Sequence, residues 1–261
     1  MRSVPATMSE TQGTVAFDDV MWKKSVSTPA RPTSPSLFAR TTKTSVKLRM
    51  ALAGPSGSGK TYTALTIARA LGERVALIDT EHGGASHYAD RFDFDTLALT
   101  SFHPQEYINA LLAAAAEGYQ VCIVDSLSHA WMGKDGALEL VDRAVQRSHS
   151  GNSFAAWREV TPLHRQLVET LLRVPMHVLV TLRSKMEYVL DTDSRGKLVP
   201  RKVGMAPVQR DGLEYEFDVV ADLDQEHTLV VTKSRLSPLA DLVIAKPDWT
   251  FGTHVREALR A

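Results

Sequence analysis

The sequence predicts an α/β fold in which a mainly parallel central sheet is flanked by helices. Two observations carry this prediction. Short strands with almost no polar residues, such as Val75–Asp79 and Val121–Asp125, alternate with longer segments of helical periodicity. Strands that are apolar along their whole length are buried on both faces, which is typical of a parallel sheet covered by helices. A length of 261 residues suits one such domain with short appendages.

Along the chain, the predicted strands and helices follow one another in turn. Strands are predicted at 46–53, 75–79, 121–125 and 176–182, and helices at 61–71, 104–117, 137–147 and 154–173. Pro162 predicts a kink or a restart in the last helix. Beyond residue 182 only strands are predicted. The segments 186–190 and 198–203 flank a polar stretch typical of a hairpin or long loop, and 215–223 with 228–233 predict a C-terminal β-hairpin extension.

Composition divides the chain into three parts. Residues 1–44 are rich in Ser, Thr and Pro without sustained periodicity, which predicts a disordered or loosely docked N-terminal arm. Residues 45–245 hold the alternating strands and helices and are predicted to form the α/β domain. Residues 246–261 are predicted to form a C-terminal tail with a short helix.

Charge and cysteine content narrow the functional classes. The 30 Lys and Arg residues balance the 30 Asp and Glu residues, so any basic surface for nucleic acid or a membrane must be local. The only cysteine, Cys122, cannot form an internal disulfide, which fits a reducing cytoplasm. No segment approaches the roughly 18 continuous apolar residues of a membrane span, and no secretory signal is recognisable. We therefore expect a cytoplasmic protein without a membrane partner.

A glycine-rich loop with the pattern G-x-x-x-x-G-K-T stands between the first predicted strand and the first predicted helix. Glycines let successive N–H groups curl around phosphate oxygens, and the helix N-terminus adds positive potential. Lys60 is expected to reach the β- and γ-phosphates during catalysis, and the Thr61 hydroxyl to bind Mg²⁺. The expected ligands are therefore ATP and Mg²⁺. The predicted nucleotide-binding residues are Gly54, Pro55, Ser56, Gly57, Ser58, Gly59, Lys60, Thr61 and Tyr62.

Two carboxylates at other strand ends complete the predicted site. Asp125 follows four apolar residues, a pattern that presents an aspartate to a magnesium-bound water. Taken alone, the same pattern is equally typical of a helix cap. Glu81, just beyond the strand 75–79, is expected to activate water for attack on the γ-phosphate. Asp79 is a second candidate for orienting the loop or a water, and a solvated Glu81 in a polar turn is the plain alternative.

The residues around these carboxylates resemble RecA-type ATPases over roughly 45–236. Leu77-Ile78-Asp79-Thr80-Glu81-His82 is similar to the strand end that presents the catalytic glutamate in that family. Ile123-Val124-Asp125-Ser126 is similar to the family's Walker B strand. Thr181 resembles the position of a γ-phosphate sensor in RecA-like proteins, although threonine is also ordinary at a strand end. The resemblance implies a RecA-like core fold.

Thr232-Lys233-Ser234-Arg235 resembles the Lys-x-Arg motif of bacterial RadA proteins and related RecA-fold motors. In such proteins these cations approach the γ-phosphate of the neighbouring subunit. The resemblance thus implies catalytic roles for Lys233 and Arg235 and a homo-oligomeric ring or filament. The chain departs from the family pattern at Gly83-Gly84 and at Leu236-Ser237-Pro238. A compact core without an obvious second domain is most similar to phage-encoded AAA-type ATPases of the Sak-four single-strand annealing group, which implies the cytoplasm of a bacterial host.

A local excess of positive charge follows the predicted sensor strand, where RecA-like proteins place a DNA-binding loop. Residues 183–210 include seven basic and three acidic residues. A basic stretch in a neutral chain is typical of nucleic-acid contact, although a solvated hairpin would look the same. A second basic candidate spans 143–158 and includes Trp157. The predicted DNA-binding residues are Arg183, Lys185, Arg195, Lys197, Arg201 and Lys202.

Together these features predict a DNA-stimulated Mg·ATP hydrolase with a RecA-like core that acts on single-stranded DNA in recombination, annealing or repair. The predicted partners are single-stranded DNA, further copies of the chain and a single-strand-binding protein. Two alternatives stay open. A nucleotide-dependent assembly or loader module would bind ATP and a protein partner without needing hydrolysis. A P-loop kinase would pass the phosphate to a small molecule, against which Glu81 and the Lys233-Ser234-Arg235 motif argue.

Overall fold

The computed structural model describes residues 46–148, 151–192 and 198–260, with only the backbone described at 187–192 and 198–203. The predicted N-terminal arm at 1–44 lies outside the described residues. The strands are β1 (Arg49–Gly54), β2 (Val75–Asp79), β3 (Asp95–Ala98), β4 (Val121–Asp125), β5 (His177–Thr192), β6 (Leu198–Pro207), β7 (Val219–Leu223), β8 (Thr228–Ser234) and β9 (Val243–Ala245). The helices are α1 (Lys60–Leu71), α2 (Pro104–Ala116), α3 (Ser128–Met132), α4 (Ala137–Arg147), α5 (Ser153–Arg173) and α6 (Trp249–Arg260).

The strands form a single mixed sheet with the order β3-β2-β4-β5-β1-β7-β8-β9, and β6 pairs with β5 beyond the end of β4. The pairs from β3 to β7 are parallel, and β8 and β9 are antiparallel. This confirms the predicted mainly parallel α/β fold. The carboxyl ends of β1, β2 and β4 share one edge of the sheet, so polar residues that follow these strands are brought together there. β5 continues past this edge to Thr192, so the strand predicted to end at residue 182 is longer and Thr181 lies within it.

The predicted C-terminal hairpin, β7 and β8, is part of the main sheet, since β7 lies parallel beside β1. The strand predicted from residue 215 begins later, at Val219, and Leu213–Tyr215 forms a short 3-10 helix instead. The Lys233 ammonium accounts for this difference. It donates hydrogen bonds to the carbonyl oxygens of Glu214, Tyr215 and Phe217, which satisfies these groups without a neighbouring strand.

Helix α5 runs unbroken through Pro162, so of the predicted kink or restart the restart is wrong, and the kink stays a prediction. Residues on both sides of the proline are buried: Ala156 and Val160 before it, Leu167 and Leu171 after it. Burial of a full apolar face stabilises a helix more than the loss of one backbone hydrogen bond at proline destabilises it.

The core has two layers, one on each face of the sheet. One layer packs α1 and α6 against the sheet, and the other packs α2 and α5 against the opposite face. The helix in the predicted C-terminal tail, α6, contributes Phe251 and Val255 to the first layer. A Cβ at Gly252 would lie 2.8 Å from the Thr66 carbonyl oxygen of α1, so glycine allows this close helix contact. Within the described part of the chain, no helix is both long and apolar enough to cross a membrane.

His177 joins the start of β5 to the start of β1. Its Nδ1 accepts a hydrogen bond from the Leu48 N–H at 2.9 Å, which requires the neutral imidazole. Burial lowers the pKa of His177 to about 4, and the positive charges of Lys47 and Arg49 add to this effect. The folded protein therefore resists protonation of a group that the unfolded chain protonates near pH 6.5.

We expect this histidine to make the free energy of unfolding depend on pH. Because its pKa is lower in the folded state, its stabilising effect is complete above about pH 6.5 and is lost as the pH falls towards 4, by up to about 1.4 kcal/mol per pH unit. Urea unfolding of wild type and His177→Gln between pH 4 and 8 measures it. Glutamine can accept the same hydrogen bond but does not titrate, so the stability of wild type relative to His177→Gln should fall as the pH is lowered from about 6.5 to about 4. Parallel curves would contradict the prediction.

Candidate active site

The glycine-rich loop connects β1 to α1 at the carboxyl edge of the sheet. Gly54 ends β1 where a Cβ would lie 2.5 Å from the Leu223 carbonyl oxygen, so a side chain does not fit there. Gly59, with φ of 89°, occupies the left-handed region immediately before α1 begins at Lys60. These glycines bend the backbone tightly into the N-terminus of the helix.

Several polar groups of this loop lack a protein partner. No described residue accepts a hydrogen bond from the N–H groups of Gly57, Gly59 or Lys60. The Ser58 hydroxyl oxygen is buried and has no partner among the described residues either. Because unpaired donors at a helix N-terminus are stabilised by anions, the loop fits a phosphate chain.

Lys60 lies over the loop that precedes it. Its Nζ donates a hydrogen bond to the Pro55 carbonyl oxygen at 2.8 Å. Burial lowers the pKa of Lys60, while the charges of Asp125 and Glu81 oppose that shift. The ammonium group is therefore close to both carboxylates as well as to the loop.

Thr61 and Asp125, the residues predicted to hold Mg²⁺, are in contact. The Thr61 hydroxyl donates to Asp125 Oδ2 at 2.6 Å, and the Thr181 hydroxyl on β5 donates to Oδ1 of the same carboxylate. Burial raises the pKa of Asp125, and these two hydrogen bonds counteract that shift. Thr181, the predicted sensor, thus touches the proposed metal carboxylate directly.

This donor set fits a magnesium ion better than a metal held by protein alone. Within the described ranges, no group of three or more His, Cys, Asp or Glu side chains could hold a metal ion. Mg²⁺ typically takes one or two protein oxygens and completes its shell with water and substrate phosphates. The Asp125 carboxylate and the Thr61 hydroxyl supply two such oxygens beside the phosphate loop.

Glu81 follows the tip of β2 in a turn that Asp79 fixes. The Asp79 carboxylate accepts hydrogen bonds from the N–H groups of Glu81 at 2.7 Å and Gly83 at 2.8 Å. Asp79 therefore shapes the turn that presents Glu81. The Glu81 carboxylate accepts two hydrogen bonds from the Arg183 guanidinium, at 3.0 and 2.6 Å. Burial opposes ionisation of Glu81, but Arg183 outweighs it and the pKa of Glu81 is lowered.

Behind Glu81, a buried network joins the tips of β2 and β4. Thr80 donates its backbone N–H to the Asp125 carbonyl oxygen at 2.8 Å, and its hydroxyl lies 2.6 Å from Nδ1 of His129. Burial lowers the pKa of His129, with the Arg183 charge adding to it. His129 also stacks on Phe102, with 4.8 Å between ring centroids. The neutral imidazole thus braces the turn that carries Glu81, a role that no sequence motif indicated.

A cavity of about 490 Å³ lies beside the loop and is large enough for a nucleoside. Tyr62 and Tyr88 line one side, and His227 with Lys246–Asp248 lines another. His227 and Lys246 both have left-handed backbone angles, with φ of 66° and 51°. The Lys246 N–H donates to the His227 carbonyl oxygen at 2.8 Å and holds the two turns together. Sequence reasoning missed this wall because its residues lie more than 160 positions from the loop.

Lys233 and Arg235 bond within their own chain. The three Lys233 hydrogen bonds to carbonyl oxygens match the three donors of an ammonium group. Arg235 donates to Asp218 Oδ1 at 3.2 Å and to the Tyr215 carbonyl oxygen at 3.0 Å. Both side chains thus fix the segment before β7, and their action on a neighbouring subunit stays a prediction.

The predicted DNA-binding residues fall into three groups. Arg183 and Lys185 are exposed on one face of β5. Arg201 and Lys202 lie on β6, opposite Val189 and Tyr188, with only their backbone described. Arg195 and Lys197 lie outside the described residues.

The second basic candidate, 143–158, is occupied by internal contacts. Arg143 forms ion pairs with Asp135 and Glu139, and Arg147 with Glu159. Trp157 stacks on Trp131, with ring centroids 5.6 Å apart. The Arg147 pair joins α4 to α5 and the tryptophan stack joins α3 to α5, and DNA contact by this stretch stays a prediction.

A protein-family model described as an AAA domain matches residues 46–242, which is 197 of the 261 residues. No curated protein matches the chain. The matched segment runs from just before β1 to just before β9, so it contains every strand tip that contributes to the site. The Lys246–Asp248 wall of the cavity lies beyond it.

Proposed function

This chain belongs to the AAA-domain family of nucleotide-binding ATPases, and from that premise we propose that it hydrolyses Mg·ATP in the course of acting on single-stranded DNA. One observation carries the hydrolase assignment. The hydrogen bond from Thr61 to Asp125 places a metal-binding hydroxyl and a metal-binding carboxylate side by side, next to a loop with unpaired N–H donors. Phosphoryl transfer relies on this kind of positioning and charge stabilisation rather than on covalent chemistry.

Each residue of the site has a part in hydrolysis. The loop N–H groups and Lys60 bind the phosphates, and Thr61 with Asp125 would hold Mg²⁺. The bound metal would neutralise negative charge on the phosphates. Glu81 orients a water for attack on the terminal phosphorus and receives a proton as the new P–O bond forms and the bond to the ADP oxygen breaks. Because its pKa is lowered, Glu81 is ionised at neutral pH and is better suited to orienting water than to strong base catalysis.

The β5–β6 hairpin supports the proposal of DNA as the macromolecular substrate. Arg183 on β5 pairs in register with Gly54 on β1, so the hairpin begins level with the phosphate loop. The segment 183–210 carries a net charge of +4 from seven basic and three acidic residues. Single-stranded nucleic acid binds to basic protein surfaces mainly through its phosphates. We also propose that the protein forms a homo-oligomer. The RecA-type ATPases that its sequence resembles act on DNA as rings or filaments.

Salt-dependent binding to single-stranded DNA tests this part of the proposal. With ATP present, the wild type is expected to bind an oligonucleotide with an affinity that falls as salt rises. Replacing Lys185, Arg201 and Lys202 with alanine should weaken binding and lower the salt slope by about 0.7 for each lost phosphate contact.

A matched control replaces Arg91, Lys134 and Arg173, three exposed cations outside the hairpin, and should leave binding unchanged. Absence of salt-sensitive binding by the wild type, or equal losses in both triple variants, would contradict the DNA proposal. Either result would leave the hydrolase assignment standing.

A further inference from the structure

Arg183 forms the most direct contact with the proposed catalytic carboxylate. Its Nε lies 3.0 Å from Glu81 Oε1 and its Nη2 lies 2.6 Å from Oε2. Both carboxylate oxygens are thus engaged by one planar guanidinium, the geometry of a bidentate ion pair. The pair connects the turn after β2 to β5, two strands that have β4 between them in the sheet.

In this pair Glu81 is poorly placed to serve a water molecule. The guanidinium donates to both oxygens, and it holds the pKa of the carboxyl low against the effect of burial. A carboxylate that is neutralised in this way is a weaker acceptor for the proton of an attacking water. Hydrolysis would therefore require the guanidinium to move to another anion.

The phosphate site is a suitable place for such an anion. Side chains alternate along a strand, so Arg183 emerges on the same face of β5 as Thr181, which donates to Asp125. Arg183 pairs in register with Gly54, the first residue of the loop, so it lies at the level of the phosphate site in the sheet.

The backbone of Arg183 is fixed while its side chain has room to move. Its N–H donates to the Ser128 hydroxyl at 2.9 Å, and its carbonyl oxygen accepts from the Val208 N–H at 2.6 Å. The side chain is 46% exposed. The guanidinium can therefore leave Glu81 by a change of side-chain rotamer while the backbone stays in place.

We propose that Arg183 is a positioning residue of the nucleotide site, shared between Glu81 and the terminal phosphate of a nucleoside triphosphate. The triphosphate competes with Glu81 for the guanidinium. When Arg183 pairs with the terminal phosphate, Glu81 is free to orient water. A diphosphate lacks the group that competes, so Glu81 stays paired. This inference rests on the proposed ATPase function and replaces the DNA contact that the sequence suggested for Arg183.

Equilibrium binding of ATP and ADP tests the inference without relying on turnover. We use the Glu81→Gln background, in which ATP hydrolysis is expected to be slow and the ion pair is absent. Adding Arg183→Ala is expected to weaken ATP about tenfold, the loss of one charged hydrogen-bonding group, and to change ADP less than twofold. Adding Arg183→Lys should give an intermediate loss of ATP affinity, because lysine keeps the positive charge but cannot form two parallel hydrogen bonds as a guanidinium does.

Lys134→Ala is the matched control, since Lys134 is an exposed cation on the loop before α4, outside the proposed nucleotide and DNA sites. It should change neither affinity. Equal losses of ATP and ADP, or no loss of either, would overturn the role of Arg183 while leaving the hydrolase assignment intact. In another outcome, Arg183 favours ATP over ADP only when single-stranded DNA is added. That result would mean that the phosphate competing for Arg183 belongs to DNA, and it would also overturn the proposed role of Arg183. If the Glu81→Gln protein did not bind ATP at all, both the proposed ATPase function and the proposed role of Arg183 would be wrong.

Discussion

Replacing Glu81 with glutamine is expected to lower the rate of ATP hydrolysis by a factor of about 100 to 1,000, the usual contribution of a group that orients and deprotonates water. Glutamine keeps the size of the side chain but accepts a proton poorly. Since Glu81 does not hold the phosphates, ATP affinity should stay within a few-fold of wild type or rise. Steady-state phosphate release and equilibrium ATP binding, measured on the same preparation, separate these two effects.

Glu106→Gln is a suitable control because Glu106 is an exposed glutamate on α2, in a different part of the chain. It should leave hydrolysis and binding unchanged. If Glu81→Gln protein turned over ATP within threefold of wild type, the water-activating role would be wrong. The assembly-module alternative would then be favoured, since that alternative needs nucleotide binding alone.

Replacing Lys60 with alanine is expected to weaken ATP binding by about 100-fold, because it removes a charged hydrogen-bonding group from a partly buried phosphate site. The three-dimensional fold should survive, since the only hydrogen bond from the Lys60 ammonium to a described residue is the one to the Pro55 carbonyl oxygen. Titration calorimetry measures the affinity, and thermal unfolding checks that the variant is folded.

Lys134→Ala controls for the loss of one positive charge, because Lys134 is exposed and lies on the loop before α4. Its ATP affinity should match that of wild type. If Lys60→Ala bound ATP as tightly as wild type while folded, the glycine-rich loop would not be the phosphate site and the site assignment would have to be abandoned.

The parts of the fold that the sequence predicted best are those with one strong physical signal. The bounds of β2, β4 and α4 match the prediction, because the two strands are uniformly apolar and α4 is sharply amphipathic. β3 and β9 were missed. They are edge strands of four and three residues, respectively, with mostly exposed side chains, so they carry no burial pattern and exist only because a neighbouring strand pairs with them.

In the candidate site, too, some features could be predicted from local sequence and others could not. Asp125 and Glu81 could be placed at strand ends from local sequence, since each follows its own apolar strand. The contact of Glu81 with Arg183 could not, because it joins residues 102 positions apart through a shared sheet edge. His227 and Lys246 close the cavity from loops whose position depends on the whole C-terminal half of the sheet.

Phosphate release from Mg·ATP by the wild-type protein, with water as the only acceptor, tests the central claim most directly. The claim is that the tips of β1, β2 and β4 together form a hydrolytic site. We expect continuous release of inorganic phosphate that requires Mg²⁺ and is strongly reduced in Lys60→Ala and Glu81→Gln proteins. Tight binding of Mg·ATP without phosphate release, or release only after a small-molecule acceptor is added, would contradict the claim.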